Sequence, residues 1–328
     1  MNFLNKIKHI GLLQSFSITI AIVAVVTLIL GYYNHKYILY TAFNGDTYFL
    51  KRHQGSKISI FFDEGYSAQT LANISDVLDS AIEVYGSLLN NSKKDQEQIT
   101  VAVVNSTCGS GCGELGGNAI EITKLKFNKF YNEVNKSNSY DQLPFYELGR
   151  VFWVFGDQLN YPGAEINHSL HTGFAVFMRF VVMENLNLKC SPFNGYSFDE
   201  QMASNRELIK IYQSDSSYTF NNSLLVGKGI PNKYGLEASN LFASILFDLY
   251  DTYGGDEFLK KLWSEVNKRP RTNSIQDIVD NFFIACSLAS NQDLTDKFLN
   301  DLKWPVSKKY HYAYKKGFLL THHKVLPN

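Results

Sequence analysis

Apolar and polar positions alternate along three short stretches in the first half of the chain. Residues 57–64 (KISIFFDE), 98–104 (QITVAVV) and 118–125 (NAIEITKL) fit the two-residue period of a strand. Between the first two, residues 68–89 carry apolar side chains at helical spacing, which predicts an amphipathic helix. The pattern therefore predicts a β-α-β-β unit.

The second half of the chain is dominated by long helical patterns. They cover residues 143–159, 171–184, 234–253 and 274–289. We therefore predict an α+β fold in which a small β-sheet unit, residues 56–142, precedes a mostly helical unit. The helical unit would span residues 143–307, and residues 308–328 would form a polar C-terminal tail.

Residues 10–33 form an uncharged apolar run that ends in LILGYY. A bilayer core requires about 20 such residues in a helix, and the h-region of a cleaved signal peptide has about 7–15. The run therefore predicts a single transmembrane signal-anchor. Lys6 and Lys8 precede it, so the positive-inside bias makes residues 1–9 a cytoplasmic tail. Residues 34–55 would be a stalk, and the bulk of this single-pass membrane protein would be lumenal, periplasmic or extracellular.

The charge balance of the chain argues against one class of binding partner, nucleic acid. Lys plus Arg and Asp plus Glu number 31 each, which gives a formal net charge of zero. No basic stripe with interleaved aromatic residues is present, so we expect no nucleic-acid partner.

Two further features fit an oxidising compartment. Cys108 and Cys112 lie in a glycine-rich loop and are predicted to form a disulfide or to remain free thiols, because no second metal-binding pair accompanies them. Six N-x-S/T sequons are glycosylation candidates: Asn73, Asn90, Asn105, Asn135, Asn167 and Asn221.

Residues 145–153 (FYELGRVFW) carry the candidate chemistry. In an HExxH zinc helix, two histidines at i and i+4 bind the metal and the glutamate beside the first acts as general base. Here Tyr146 and Arg150 take the histidine positions, and Glu147 keeps the general-base position. A guanidinium offers no lone pair, so Arg150 cannot ligate zinc. The plainer interpretation is a core-facing helix whose Glu147–Arg150 pair is solvated.

The order of the elements resembles that of the gluzincin, or peptidase-MA-like, metallopeptidases. Those have a short β-sheet unit, a zinc helix, and a second helix that often reads EGFAEYMR and supplies a glutamate ligand. Residues 171–179 (HTGFAVFMR) are similar to that second helix, with Thr172 in place of the ligand glutamate. The resemblance covers roughly residues 57–307, and Glu147 alone is kept among the diagnostic positions. It implies a degenerate metallopeptidase scaffold that holds no cofactor.

The resemblance predicts a catalytically inactive, membrane-anchored protein that binds peptide, glycoprotein or glycan in the old substrate cleft. In such enzymes an edge strand near the cleft positions the substrate, which draws residues 107–118 (TCGSGCGELGGN) into the hypothesis. The predicted cleft residues are Tyr146, Arg150, His171, Thr172, Gly116 and Asn118, beside a vestigial Glu147.

Active-enzyme alternatives stay open. His168 and His171 are three residues apart and would provide a relocated zinc site for a hydrolase. A lumenal glycosyltransferase would use Tyr146, Glu147 and Arg150 as acid, base and anion clamp. A third alternative is an anchored surface domain without pocket chemistry.

Overall fold

The predicted membrane span lies largely outside the residues that the structure describes. The computed structural model describes residues 37–90 and 98–310, together with Ile22, Val23 and Val25. The predicted tail at residues 1–9, nearly all of the span at 10–33 and residues 311–328 lie outside. Among the described helices, none has both the length and the apolar character needed to cross a bilayer.

The fold is α+β, with one six-stranded mixed sheet and a mostly helical remainder. The sheet order is β1-β2-β3-β4-β6-β5, with β3, β4 and β6 parallel and the other pairings antiparallel. The strands are β1 Tyr37–Thr41, β2 Thr47–Gln54, β3 Ile58–Phe62, β4 Ile99–Val104, β5 Gly111–Gly113 and β6 Ala119–Thr123. The three strands predicted from alternation are confirmed as β3, β4 and β6.

Strand β4 shows how alternation builds the two faces of the sheet. Val101 and Val103 point into the main hydrophobic core, whereas Ala102 and Val104 join a small cluster on the opposite face. That second face is covered by the turn after β1, because the buried carboxylate of Glu121 accepts hydrogen bonds from the Tyr40 hydroxyl (2.9 Å) and the Phe43 N–H (2.7 Å).

Nine α-helices lie in the described part of the chain. They are α1 Ala68–Leu89, α2 Lys124–Ser137, α3 Leu143–Val151, α4 Gly156–Leu159, α5 Ile166–Asn185, α6 Phe198–Ser214, α7 Ala238–Tyr253, α8 Gly255–Asn267 and α9 Ile275–Ser290. Short 3-10 segments follow at Phe220–Asn222 and Leu224–Val226, and a π-helical turn at Lys297–Asp301. The side chain of Ser274 accepts the Asp277 N–H, so the sequence-predicted cap of α9 is present.

The stalk prediction for residues 34–55 needs correction. Strands β1 and β2 occupy residues 37–54, where they extend the sheet beyond β3. Only Leu50 of β2 is fully buried, at 2% exposure. A strand with a single buried side chain gives little alternation, which is why the pattern of the sequence did not reveal it.

The single helix predicted over residues 143–159 is also wrong. Helix α3 ends at Val151, and the Arg150 carbonyl accepts N–H groups from Trp153 (3.1 Å) and Gly116 (3.2 Å). The chain then turns so that Trp153 and Phe155 enter the core before the short helix α4. Aromatic burial and capping from the glycine-rich loop therefore override the helical pattern here.

The two predicted subdomains share one core. Tyr85 on α1 stacks on Phe152 at 4.8 Å between ring centroids, and its hydroxyl donates to the Phe145 carbonyl at 2.7 Å. Helix α1 also packs on β3 and α8. Residues 56–142 and 143–307 are therefore joined by direct packing around α1.

Candidate functional site

Helix α3 lies between the edge strand β5 and helix α5. It packs antiparallel to α5, because Arg150 lies beside Thr172 whereas Tyr146, one turn earlier, lies beside Arg179. Strand β5 lies along the other flank, where Gly113 contacts Glu147 and Arg150. Two helices and a strand thus surround the Tyr146–Arg150 turn.

Glu147 is a buried carboxyl group with a proton affinity far above the ordinary one. It is 2% exposed, and its Oε2 accepts the Gly113 backbone N–H at 2.7 Å. Burial raises the pKa of Glu147 from 4.5 to about 7, against the opposing effects of the Gly113 hydrogen bond and the Arg150 charge. At neutral pH the side chain is therefore present in both protonation states.

Strand β5 approaches α3 this closely because its two residues that face the helix, Gly111 and Gly113, are glycines. A Cβ added at Gly113 would lie 2.5 Å from the Glu147 carbonyl oxygen, and one at Gly111 would lie 2.8 Å from Glu147 Oε1. Any larger residue would force the strand away from the helix. Gly111 and Gly113 thus allow the backbone of β5 to pack directly against Glu147.

Arg150 occupies the space between the edge strand and α5. Its Nε donates to the Gly113 carbonyl at 3.3 Å and lies 3.9 Å from Glu147 Oε2. Its Nη1 lies 3.5 Å from both His171 Nδ1 and Thr172 Oγ1, which is the outer limit of hydrogen bonding. Both polar backbone atoms of Gly113 are therefore bonded to α3 side chains.

The two histidines differ in exposure. His171 is half-buried and His168 is exposed, with ring centroids 5.3 Å apart. Burial, and then the nearby Arg150 charge, lowers the pKa of His171 to about 4. His171 is therefore neutral at pH 7, and its Nδ1 faces Thr172 Oγ1 (3.2 Å) as well as Arg150.

Tyr146 faces a second arginine. Its ring centroid lies 5.9 Å from the guanidinium carbon of Arg179, and both side chains are half-buried. Burial lowers the pKa of Arg179 to about 10. Tyr146, which stands at the first histidine position of the HExxH motif, thus packs beside the Arg179 guanidinium.

The residues at the three ligand positions do not fit a zinc ion. Arg150 fills the space beside Thr172 with a cationic group that has no lone pair, and a dication next to a guanidinium is repelled. In the described ranges, no group of three or more His, Cys, Asp or Glu side chains is arranged to hold a metal. A standard HExxH centre is therefore incompatible with this geometry.

The two predicted cleft residues of the glycine-rich loop, Gly116 and Asn118, lie in different positions relative to α3. The Gly116 N–H caps α3 through the Arg150 carbonyl, so Gly116 lies at the end of the site. Asn118 is exposed, and its carbonyl accepts the Thr100 N–H at 2.9 Å. Cys108 and Cys112 are disulfide-bonded immediately before and within β5.

The sequons differ in accessibility. Asn73, Asn90, Asn105, Asn135 and Asn221 have exposed side chains. The Asn167 amide instead bonds both the N–H (3.0 Å) and the carbonyl (2.6 Å) of Tyr161. The remainder of the Asn90 sequon lies outside the described residues.

Sequence reasoning did not select three residues that shape this region. Gly113 makes the contacts of the edge strand, Arg179 faces Tyr146 across the α3–α5 interface, and Gln142 is a buried residue immediately before α3. A lone arginine within the apolar run FAVFMRFVVM was a visible signal for Arg179. The contacts of Gly113 and Gln142 depend on how distant segments pack.

Known proteins resemble this chain in structure but not detectably in sequence. No protein-family profile matches the chain, and no curated protein matches its sequence. A conserved protein of unknown function from Bacillus anthracis str. Ames, solved as a mutant, has a TM-score of 0.58 and 14% identity over 85% of this chain and 53% of its own. The M60 catalytic domain of Clostridium perfringens ZmpC, solved in complex with the sialyl T antigen, has a TM-score of 0.50 and 14% identity over 87% of this chain and 55% of its own.

The chain spans about half the length of these solved structures. At such low identity the likeness concerns the fold alone. The chain has a metallopeptidase-like fold.

Proposed function

We propose that this chain is a catalytically inactive, gluzincin-like protein that binds a glycan or glycoprotein at the surface around Arg150. The observation that supports the proposal is the position of the Arg150 guanidinium, which donates to the Gly113 carbonyl where the resemblance to gluzincins would put a zinc ligand. The proposal includes anchoring through residues 10–33, with the bulk of the chain lumenal, periplasmic or extracellular. It includes no metal cofactor.

The contacts of Glu147 support inactivity. In an HExxH enzyme the glutamate acts on a water polarised by zinc. Here Glu147 Oε2 instead accepts the Gly113 N–H at 2.7 Å, and a Cβ added at Gly111 would lie 2.8 Å from Oε1. Glu147 therefore serves to fasten α3 to β5.

The same contacts disfavour an extended peptide as the ligand. A peptide that adds a strand to β5 would need the free backbone N–H and C=O of that edge. At Gly113 both groups are bonded to Glu147 and Arg150. A glycan, or the glycan of a glycoprotein, does not require backbone hydrogen bonds along this strand edge.

The ligand class is supported by the M60 catalytic domain, whose solved complex contains the sialyl T antigen. We extend that ligand class to this chain as part of the proposal. Arg150, His171 and Thr172 would supply hydrogen-bonding groups to sugar hydroxyls.

The test uses the full-length chain in detergent, with mucin-type O-glycans that include the sialyl T antigen and with the matching glycopeptides. We expect binding by the wild type and by Glu147→Gln, at least tenfold weaker binding by Arg150→Met, and no cleavage. Arg271→Met is the matched control, because Arg271 is exposed and pairs with Asp157 away from the site. Glycopeptide hydrolysis that Glu147→Gln abolishes would establish the active-enzyme alternative.

A relocated zinc site is the second candidate function, favoured by the 5.3 Å spacing of the His168 and His171 rings. It requires a third ligand from outside the described residues or from the ligand bound to the protein. Direct metal measurement separates it from the first proposal.

A further inference from the structure

Arg179 is a cation without an anionic partner in the described chain. It lies within α5, and its guanidinium carbon is 4.7 Å from the Phe180 ring centroid and 5.9 Å from that of Tyr146. Its Nε is buried and has no hydrogen-bond partner, and no carboxylate of the described residues lies within ion-pair distance. A buried guanidinium N–H that lacks a hydrogen-bond partner is costly, so the Nε of Arg179 favours an acceptor.

The nearest acidic side chain is engaged elsewhere. Asp141 Oδ1 accepts the Leu143 N–H at 2.8 Å, and Asp141 Oδ2 pairs with Lys129 at 3.4 Å. Asp141 acts on Arg179 at longer range only. No acidic side chain of the described residues is therefore paired with Arg179 at close range.

Gln142 provides an independent observation at the same interface. Its side chain is fully buried, and neither its amide nitrogen nor its amide oxygen has a hydrogen-bond partner. Native proteins rarely leave a buried amide unsatisfied at both ends. An occupant that both accepts and donates a hydrogen bond would satisfy it.

Helical spacing relates Gln142 to the contact between Tyr146 and Arg179. Along the α3–α5 interface, Arg150 lies beside Thr172, and Tyr146 lies beside Arg179. Gln142 lies one further turn along α3, on the face of Tyr146, since Tyr146 N donates to Gln142 O at 3.0 Å.

We propose that Arg179, Gln142 and Tyr146 form a binding site for a carboxylate that carries a hydroxyl or amide N–H on the neighbouring atom. The Nε and one terminal nitrogen of Arg179 present two parallel donors, which match the two oxygens of a carboxylate. The Gln142 amide donates to the carboxylate and accepts from the neighbouring hydroxyl or N–H. Tyr146 and Phe180 flank the cation and limit the access of water to it. The site is distinct from the proposed glycan binding, because it uses none of Arg150, His171 and Thr172.

Glycolate is the smallest probe with these groups, and glycolamide is its uncharged counterpart. Calorimetric titration of the full-length chain at constant ionic strength is expected to show one glycolate site with millimolar affinity and no glycolamide binding. Arg179→Met should weaken glycolate binding at least tenfold, and Gln142→Leu at least threefold.

The matched control is Arg206→Met. Arg206 also stacks on an aromatic ring, at 4.3 Å from Phe247, but it is paired with Asp251. Glycolate affinity should be unchanged in this variant.

Equal binding of glycolate and glycolamide, or no binding of glycolate by the wild type, would overturn the proposal without any variant. Unchanged affinity in folded Arg179→Met would also overturn it. If Arg179→Met fails to fold, Arg179→Lys, which keeps the charge but loses the paired donors, replaces it with the same expected loss. None of these outcomes bears on glycan binding around Arg150.

Discussion

At the scale of single residues, Glu147 differs from an ordinary glutamate because burial controls its protonation. The Gly113 N–H and the Arg150 charge both favour the carboxylate, yet burial raises the pKa to about 7. A carboxyl group that titrates near neutrality is typical of a general base. Here its hydrogen bond to the edge strand gives it a structural role as well.

Replacing Glu147 with Gln should remove a pH dependence of stability. Between about pH 4.5 and 7 the folded protein holds a proton that the unfolded chain has lost, so the free energy of unfolding falls as pH rises through that window. Above the folded-state pKa this contribution levels off. The full difference is at most about 3 kcal/mol, and Gln still accepts the Gly113 N–H, so the variant should be more stable than wild type at pH 8.

Urea unfolding of both proteins from pH 4 to 8.5 measures this difference. Glu257→Gln serves as the control, because Glu257 is an exposed residue that pairs with Lys260. Stability curves that run parallel for wild type and Glu147→Gln would show that Glu147 titrates normally.

At the scale of secondary structure, the contact of β5 with α3 defines the site. Gly113→Ala would place a methyl group 2.5 Å from the Glu147 carbonyl oxygen, which is backbone and cannot give way cheaply. We expect a loss of about 1–3 kcal/mol in the free energy of unfolding and weaker glycan binding.

Gly109→Ala is the matched control for this substitution. It lies in the same loop, and its added methyl group meets nothing closer than the Gly111 carbonyl at 3.7 Å. If both variants unfold at the same urea concentration as the wild type, β5 does not rest on α3 as described.

The sequence predicted elements where burial follows a regular period. Strand β4 buries alternate residues on two faces, and α1 buries one helical stripe, so both were visible. Strand β5 has only three residues, two of them glycine, and β2 has one buried side chain, so neither carries a period.

The candidate site could be placed in part. Helical spacing put Tyr146, Glu147 and Arg150 on one helix, and the resemblance to gluzincins added Thr172 from α5. The structure brings Glu147, Arg150 and Thr172 together, whereas Tyr146 packs beside Arg179. The hydrogen bonds of Gly113 could not be foreseen, because they depend on the path of a loop 34 residues away from Glu147.

At the scale of the whole molecule, one core spans the sheet and the helices. Its buried residues run from Ile58 on β3 to Val306 near the end of the described chain. Tyr85 on α1 contributes to both predicted subdomains through Phe145 and Phe152. The boundary at residues 142 and 143 therefore does not separate two independent cores.

Thermal unfolding should reflect this shared core. We expect the described domain to unfold in one transition with equal calorimetric and van't Hoff enthalpies. Tyr85→Ala should lower the melting temperature of that transition by several degrees without splitting it. Two separable transitions would mean that the sheet and the helices fold independently.

We propose that Arg150 takes the place of a metal ligand in a metallopeptidase-like fold. Elemental mass spectrometry of the full-length chain, purified without chelators and with zinc in the medium, tests it most directly. We predict far less than one zinc per chain, unchanged in His168→Ala and His171→Ala. About one zinc per chain, lost in either variant, would contradict the account and establish a relocated metal site.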